Sequence, residues 1–221
     1  MYRYIKEYYK YVNCKKRVDF QIHIMESKSE LYEKRILMTE DEYFSKNIKD
    51  NRDKYENNAG CLIIPPKIKS VYDVLLTQGN DIYYKLWHEM THAYNLIEIM
   101  QKDIDYIQIY SNKYFNNFDE FGARYISTVI LFKHIMCKYN LNVFPLKNAI
   151  PYLEMLLEEV TDKELQNEEI LRYNLMQYLG FFAAMEDFCN EKVKISEKIS
   201  SNEYILTMYN CLKNYFDEKL I

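Results

Sequence analysis

The chain has 221 residues, of which 48% are hydrophobic and 28% are charged, and its formal net charge is −4. This composition is that of a globular protein with a buried core. The acidic balance argues against direct nucleic-acid binding, which would normally require a basic surplus. No apolar run approaches the roughly 18 residues that a membrane-spanning helix needs, so we expect no membrane partner.

The cysteines and the N-terminal segment predict a cellular compartment. The five cysteines are widely spaced and include no CxxC pair, which is typical of free thiols in a reducing cytosol. Residues 1–16 carry charges throughout and lack the apolar core of a secretory signal. We therefore expect a cytoplasmic protein without a cysteine-based zinc site.

Glycine and proline number only four each, which predicts long helices and a small sheet. In the first 80 residues, alternating apolar side chains over 18–24 and a short apolar run over 61–64 indicate strands, and a Thr-x-x-Glu capping box at Thr39 indicates the start of a helix. The predicted elements are a helix over 1–12, strands over 18–24 and 31–38, a helix over 39–55, a strand over 61–64 and a short helix over 70–77.

The rest of the chain is predicted to be helical, apart from a less regular polar stretch over 102–117. Apolar residues recur there at helical spacing. The predicted helices span 82–101, 119–139, 151–160, 163–188 and 202–217. The stretch Leu179–Ala184 is expected to be buried helix packing.

One pentapeptide in the helix over 82–101 has the pattern of a metal site. His88 and His92 are four residues apart, so they lie about 40° apart around the helix and about 6 Å apart along it. Their imidazoles converge on one point, and Zn²⁺ accepts imidazole nitrogen readily. Glu89 lies beside that point, where it can take a proton from a water molecule that the metal activates. The chance occurrence of His-Glu-x-x-His in this chain is roughly 0.7%.

A catalytic zinc site needs a third protein ligand and leaves its fourth position open. A third histidine six residues after His92 is absent, because Glu98 occupies that position. Glu120 lies 28 residues after His92 on the next strong helix, and packing of the two helices would bring its carboxylate to the metal. Gly122 and Ala123 are small enough to let these helices approach closely.

The order His88-Glu89-x-x-His92 and then Glu120-x-x-Ala123-Arg124 resembles the gluzincin-type peptidases of the ImmA/IrrE family. The resemblance covers about residues 60–135 and implies that His88, His92 and Glu120 are zinc ligands and Glu89 is the catalytic base. It also implies a cytosolic peptidase that cuts a repressor-like protein. Arg124 replaces the usual asparagine, and the Leu-Met-Pro sequence that often closes the second helix is absent.

Several assignments remain open from the sequence. Asp119 competes with Glu120 as the third ligand, although the Glu-x-x-Ala spacing favours Glu120, and Asp119 suits a helix cap or a partner of a ligand. Arg124 could orient Glu120, bind a substrate carbonyl or be an ordinary surface residue. His23 and His134 are weaker ligand candidates, since His134 lies about 21 Å along the helix from Glu120.

Two further features bear on substrate binding. Tyr94 and Tyr125 could stabilise an oxyanion by residue type, but the chain has 23 tyrosines. The strand Gly60–Ile64 could be a sheet edge that binds an extended peptide, or a plain core strand.

The sequence therefore predicts an α+β fold, mainly α, of the zincin type. It would contain a small N-terminal sheet, two metal-site helices and a helical C-terminal region, divided into 1–140 and 141–221. The predicted function is that of a Zn²⁺-dependent endopeptidase acting on a protein or peptide substrate. One alternative is a non-proteolytic metal-binding sensor or interaction module, which the intact Glu89 disfavours. Another is a helical protein with a fortuitous motif.

Overall fold

A computed structural model of the chain describes residues 1–14, 16–100, 109, 112–161, 168–189 and 193–221. The fold is α+β and mainly helical, with a small N-terminal sheet and a helical C-terminal region, as the sequence predicts. The chain forms two compact units, which comprise Met1–Tyr9 with Cys14–Ser111 and Lys10–Asn13 with Asn112–Ile221. The predicted division at residue 140 stays a prediction.

The first unit contains the sheet and five helices among its described residues. In chain order these are α1 (Tyr2–Tyr11), β1 (Asp19–Met25), α2 (Lys28–Met38), α3 (Glu42–Asp50), α4 (Arg52–Tyr55), β2 (Gly60–Leu62), β3 (Val71–Thr77) and α5 (Ile82–Met100). The predicted α1, β1 and α5 are confirmed to within two residues. The helix expected over 39–55 is divided into α3 and α4.

The sheet has the strand order β1-β3-β2. Strand β3 pairs in parallel with β1, with Asp19 opposite Val71, and it pairs antiparallel with β2. Helix α5 packs against β2 and β3, and α2 packs against β1 and β3. The sheet is thus the platform on which α5, the helix of the His-Glu-x-x-His pattern, is held.

A small apolar cluster is buried with this sheet. Cys61 belongs to it and is 4% exposed. Burial raises the pKa of the Cys61 thiol to about 12, against the opposing effect of Arg35 and with a smaller contribution from Glu89. The other members are Met25, Leu31, Ile63 and Leu75, with Met38 packed against them.

Cys61 should therefore resist thiol reagents in the folded protein. The thiolate is the reactive form, and a pKa of about 12 leaves the Cys61 thiol protonated at pH 8. We expect the exposed Cys137 and Cys211 to be labelled first, and Cys61 only after unfolding. Peptide mapping by mass spectrometry after timed labelling measures this. Equal labelling rates for Cys61 and Cys137 in the native protein would contradict it.

The segment predicted as a short helix over 70–77 is instead β3, the central strand of the sheet. Val74, Leu75 and Leu76 are fully buried, so side chains on both faces of the strand are covered. A strand that is covered on both faces shows a continuous apolar run rather than alternation. A run of this length does not distinguish a strand from a buried helix turn, and the helix assignment was wrong.

The strand predicted over 31–38 is wrong as well, because these residues belong to α2. Ser27 caps this helix by accepting a hydrogen bond from the Glu30 N–H at 3.1 Å. Thr39, the predicted N-cap, is instead the C-cap of α2, and its N–H donates to the Arg35 carbonyl. Asp41 caps α3 and accepts from the Phe44 N–H at 2.9 Å.

The second unit is helical in its described residues. Its helices are α6 (Lys113–Tyr139), α7 (Leu146–Thr161), α8 (Glu168–Phe188), α9 (Glu197–Ser200) and α10 (Glu203–Asp217). Helix α6 packs against α8 and α10, and α7 packs against α8. The stretch Leu179–Ala184 is buried, as predicted.

Helix α6 begins six residues before the predicted start at 119. Its N-cap is Asn112, whose side chain accepts from the Tyr114 N–H at 2.9 Å. Asp119 is 4% exposed and lies within the helix, so its predicted role as a helix cap is wrong. Part of the stretch 102–117 lies outside the described residues, but 113–117 is helical.

Gly122 permits a close approach of α10 to α6. A Cβ built on Gly122 would lie 2.1 Å from the ring of Phe216, which is 1% exposed. Gly122 was predicted to let α5 and α6 approach each other, but the contact that its missing side chain permits is with α10.

Gly122→Ala should destabilise the protein. Overpacking against Phe216 costs about 1–3 kcal/mol, which exceeds the gain of up to about 1 kcal/mol in helix propensity. Urea unfolding should show a lower midpoint, and Phe216→Leu should recover part of the loss in the Gly122→Ala background. A Gly122→Ala protein as stable as the wild type would contradict this packing.

None of the helices in the described residues is both long and apolar enough to cross a membrane.

Candidate metal centre

Contacts with α1 fix the rotation of helix α5. Trp87 Nε1–H donates to the carbonyl oxygen of Tyr4 at 2.9 Å. One turn later, the hydroxyl oxygens of Thr91 and Tyr8 are 3.1 Å apart. Tyr94 stacks on Tyr8 with 5.7 Å between ring centroids. One side of α5 is therefore occupied by α1.

A second side of α5 carries the buried apolar residues Leu86, Met90, Ala93 and Ile97. At 100° per residue, these residues lie about 140–200° around the helix from His88. The histidines therefore lie on a third side, distinct from this apolar side and from the side that contacts α1.

His88 and His92 lie next to each other on that third side. Their ring centroids are 4.7 Å apart and their planes are 84° to each other. Both side chains are half-buried. The spacing of four residues therefore brings the two imidazoles together, as the pattern predicts.

Glu89 is buried, with only 7% of its surface exposed, and it packs against β2. A Cβ added to Gly60 would lie 3.0 Å from Glu89 Oε1 and 3.4 Å from Glu89 Cγ. Gly60 thus provides the space that the carboxylate occupies. The sequence indicated Gly60 only as the start of a strand, and its contact with Glu89 was not foreseen.

Glu120 is half-buried in the third turn of α6, in the second unit. Its Oε2 accepts a hydrogen bond from Gln177 Nε2 of α8 at 2.9 Å. Gln177 is 2% exposed. No local sequence pattern marked Gln177, because its partner lies 57 residues earlier in the chain.

The side chains of His88, His92 and Glu120 form a group that could hold a metal ion. One ligand atom from each lies within 4.8 Å of the other two. Two imidazole nitrogens and one carboxylate oxygen are the donor set of known catalytic zinc sites, which keep a fourth position for water or substrate. The donor chemistry therefore fits Zn²⁺.

The other candidate ligands are not members of this group. Asp119 is buried in α6, and the group contains its neighbour Glu120 instead. His23 Nε2 lies 2.8 Å from Asp73 Oδ1 across β1 and β3. His134 lies in α6, 14 residues after Glu120.

The two tyrosines considered as oxyanion donors have structural partners. Tyr94 shares a short hydrogen bond with Tyr9 and accepts from the Val18 N–H at 3.2 Å. Tyr125 is fully buried and donates to Asp187 at 2.5 Å. Burial, followed by the adjacent carboxylates, raises the pKa of Tyr125.

The chain was compared with family models, curated proteins and solved structures. None of these comparisons gave a match. The likeness to the ImmA/IrrE family therefore rests on the residues of the motif alone and stays a hypothesis.

Proposed function

We propose that the protein is a zinc-dependent endopeptidase. In this proposal His88, His92 and Glu120 bind Zn²⁺, and Glu89 is the general base. The observation that carries the proposal is the group of three ligand atoms within 4.8 Å of one another, beside a buried Glu89. If the two histidines were surface residues that bind no metal, nothing about them would require the glutamate that follows His88 in sequence to be buried.

A bound Zn²⁺ would polarise the scissile carbonyl and lower the pKa of water toward about 7. Glu89 takes the proton of the attacking water, whose oxygen bonds to the carbonyl carbon. Glu89 then gives this proton to the amide nitrogen as the C–N bond breaks. The products are a carboxylic acid and an amine, and Glu89 returns to its starting state.

The position of β2 supports a peptide substrate. β2 pairs with β3 and lies at one end of the strand order, so among the described residues it is an edge strand. Extended peptides commonly bind by adding a strand to such an edge. In β2, Gly60 adjoins Glu89, so a peptide paired with this edge would pass close to the base.

The substrate class follows from the resemblance to the ImmA/IrrE family. That resemblance implies a repressor-like regulatory protein as the substrate and a cytoplasmic setting. Both are proposals for this chain, and the proteolytic activity can be tested without knowing the substrate.

The test is a proteome-wide search for cleavage. Zinc-reconstituted protein is incubated with a denatured bacterial proteome, and new N-termini are mapped by mass spectrometry. We expect a set of new termini that disappears when zinc is removed with a chelator and returns on adding Zn²⁺. Protein kept free of metal is the matched control.

Two outcomes would count against the proposal. If the protein binds zinc but produces no new termini, the peptidase proposal fails, and a metal-binding sensor or interaction module becomes the better account. If cleavage continues unchanged in the chelated sample, a contaminating or metal-independent protease is responsible.

A further inference from the structure

A chain of hydrogen bonds within the second unit leads from α7 to Glu120. The Arg124 Nη1–H donates to the Tyr152 hydroxyl at 2.7 Å, and the Arg124 Nε–H donates to Gln177 Oε1. Gln177 Nε2 donates in turn to Glu120 Oε2 at 2.9 Å. The candidate ligand is therefore linked through an amide to an arginine on its own helix.

The chemistry of the donors fixes the orientation of the Gln177 amide. A guanidinium group can only donate hydrogen bonds, so the oxygen of the amide must face Arg124. The NH₂ group then faces Glu120 and donates to its carboxylate oxygen Oε2. With the amide reversed, N–H would face N–H at Arg124 and oxygen would face oxygen at Glu120.

Gln177 is also enclosed by the packing of α8 against α6. It is 2% exposed on a helix whose neighbouring residues are buried and apolar. A Cβ on Gly180 would lie 2.7 Å from the backbone oxygen of Phe121, so α8 and α6 are in close contact one turn from this amide. A buried amide is costly unless its hydrogen bonds are made, and those of Gln177 are made to Glu120 and Arg124.

We propose that Gln177 is a positioning residue for the metal ligand Glu120 and that Arg124 acts through it by fixing the direction of the amide. The inference rests on the proposed function, because it takes Glu120 as a zinc ligand. Groups that hydrogen-bond to ligands orient them and strengthen metal binding, and their loss typically costs 10- to 100-fold in affinity. Arg124 is thereby assigned an internal role rather than a contact with substrate.

The test measures zinc affinity by competition with a chelator for the wild type and for Gln177→Met. Methionine keeps the length and burial of the side chain but cannot donate a hydrogen bond. We expect zinc binding to weaken by about 10- to 100-fold. The absorption spectrum of the Co²⁺-substituted protein should change as well, because the geometry at Glu120 is altered.

Asn174→Leu is the matched control. Asn174 is 8% exposed on the same helix, one turn before Gln177, and it donates to the Glu159 carbonyl at 3.3 Å. This variant also removes a buried amide, so it should lower thermal stability. Its zinc affinity should stay within about twofold of the wild-type value, as expected for a substitution that acts independently of the metal ligands.

A double-mutant cycle tests the role of Arg124. Arg124→Met should weaken zinc binding in the wild-type background but cause no further loss in Gln177→Met, because its effect passes through the amide. Additive losses would contradict this route. If Gln177→Met does not fold, the inference is tested with Arg124→Met alone. Unchanged zinc affinity in Arg124→Met then overturns the inference.

The outcomes separate this inference from the proposed function. A wild type that binds zinc, with Gln177→Met binding it equally well, overturns the positioning role and leaves the zinc site standing. A wild type that binds no zinc overturns both. A selective loss of zinc affinity in Gln177→Met, compared with Asn174→Leu, supports the inference.

Discussion

Glu89→Gln is expected to lower the rate of peptide hydrolysis by about 10²- to 10⁴-fold, the usual contribution of a general acid–base group. Glutamine has nearly the same shape as glutamate, so the contact with Gly60 is preserved, but its amide cannot take the proton of water. Zinc affinity should remain close to that of the wild type, since Glu89 is proposed as the base and not as a ligand. Steady-state kinetics on a peptide from a mapped cleavage site would measure the effect.

Glu98→Gln is the control for this substitution. It makes the same change on the same helix, at the position where an extended three-histidine pattern would have its third ligand. Activity and zinc content should both stay at wild-type levels. A Glu89→Gln protein with full activity would exclude Glu89 as the base, and loss of zinc from it would indicate that Glu89 is itself a ligand.

Glu120→Ala is expected to weaken zinc binding by more than about 100-fold. This is a larger loss of affinity than the 10- to 100-fold expected from removing a group that only hydrogen-bonds to a ligand. The remaining His88 and His92 supply two donors, which is fewer than the three protein ligands of known catalytic zinc sites. Competition with a chelator measures the affinity, and thermal unfolding without metal checks that the apo-protein still folds.

A pair of near-isosteric substitutions distinguishes the two neighbouring carboxylates. Glu120→Gln should weaken zinc binding strongly, whereas Asp119→Asn should change it little, because Asp119 is outside the group of ligand atoms. The reverse result would make Asp119 the third ligand and would also remove the basis for the role of Gln177.

The part of the site that depends on local geometry could be predicted from the sequence. Residues four apart on a helix share a face whatever the rest of the fold, so the pairing of His88 and His92 follows from their spacing. No local rule links residues 28 apart, so Glu120 was predicted from its place on the next strong helix, and the resemblance to a family favoured it over Asp119. Gln177 could not be predicted, since its contact with Glu120 depends on the packing of α6 against α8.

The same distinction applies to the fold. The helices α5 and α6 have long periodic patterns and were predicted, although α6 starts earlier than expected. The central strand β3 and the helix α2 were assigned to the wrong class. β3 is a short apolar segment, for which the tertiary environment outweighs local preference. In α2 the N-cap at Ser27, which marks the start of the helix, was not recognised.

The most direct test of the central claim is the zinc content of the purified and zinc-reconstituted wild-type protein, measured by elemental analysis. The account predicts about one zinc ion per chain, retained on dialysis and removed by a strong chelator. No bound zinc after reconstitution would contradict it and would leave the His-Glu-x-x-His pattern of residues 88–92 as a coincidence of sequence.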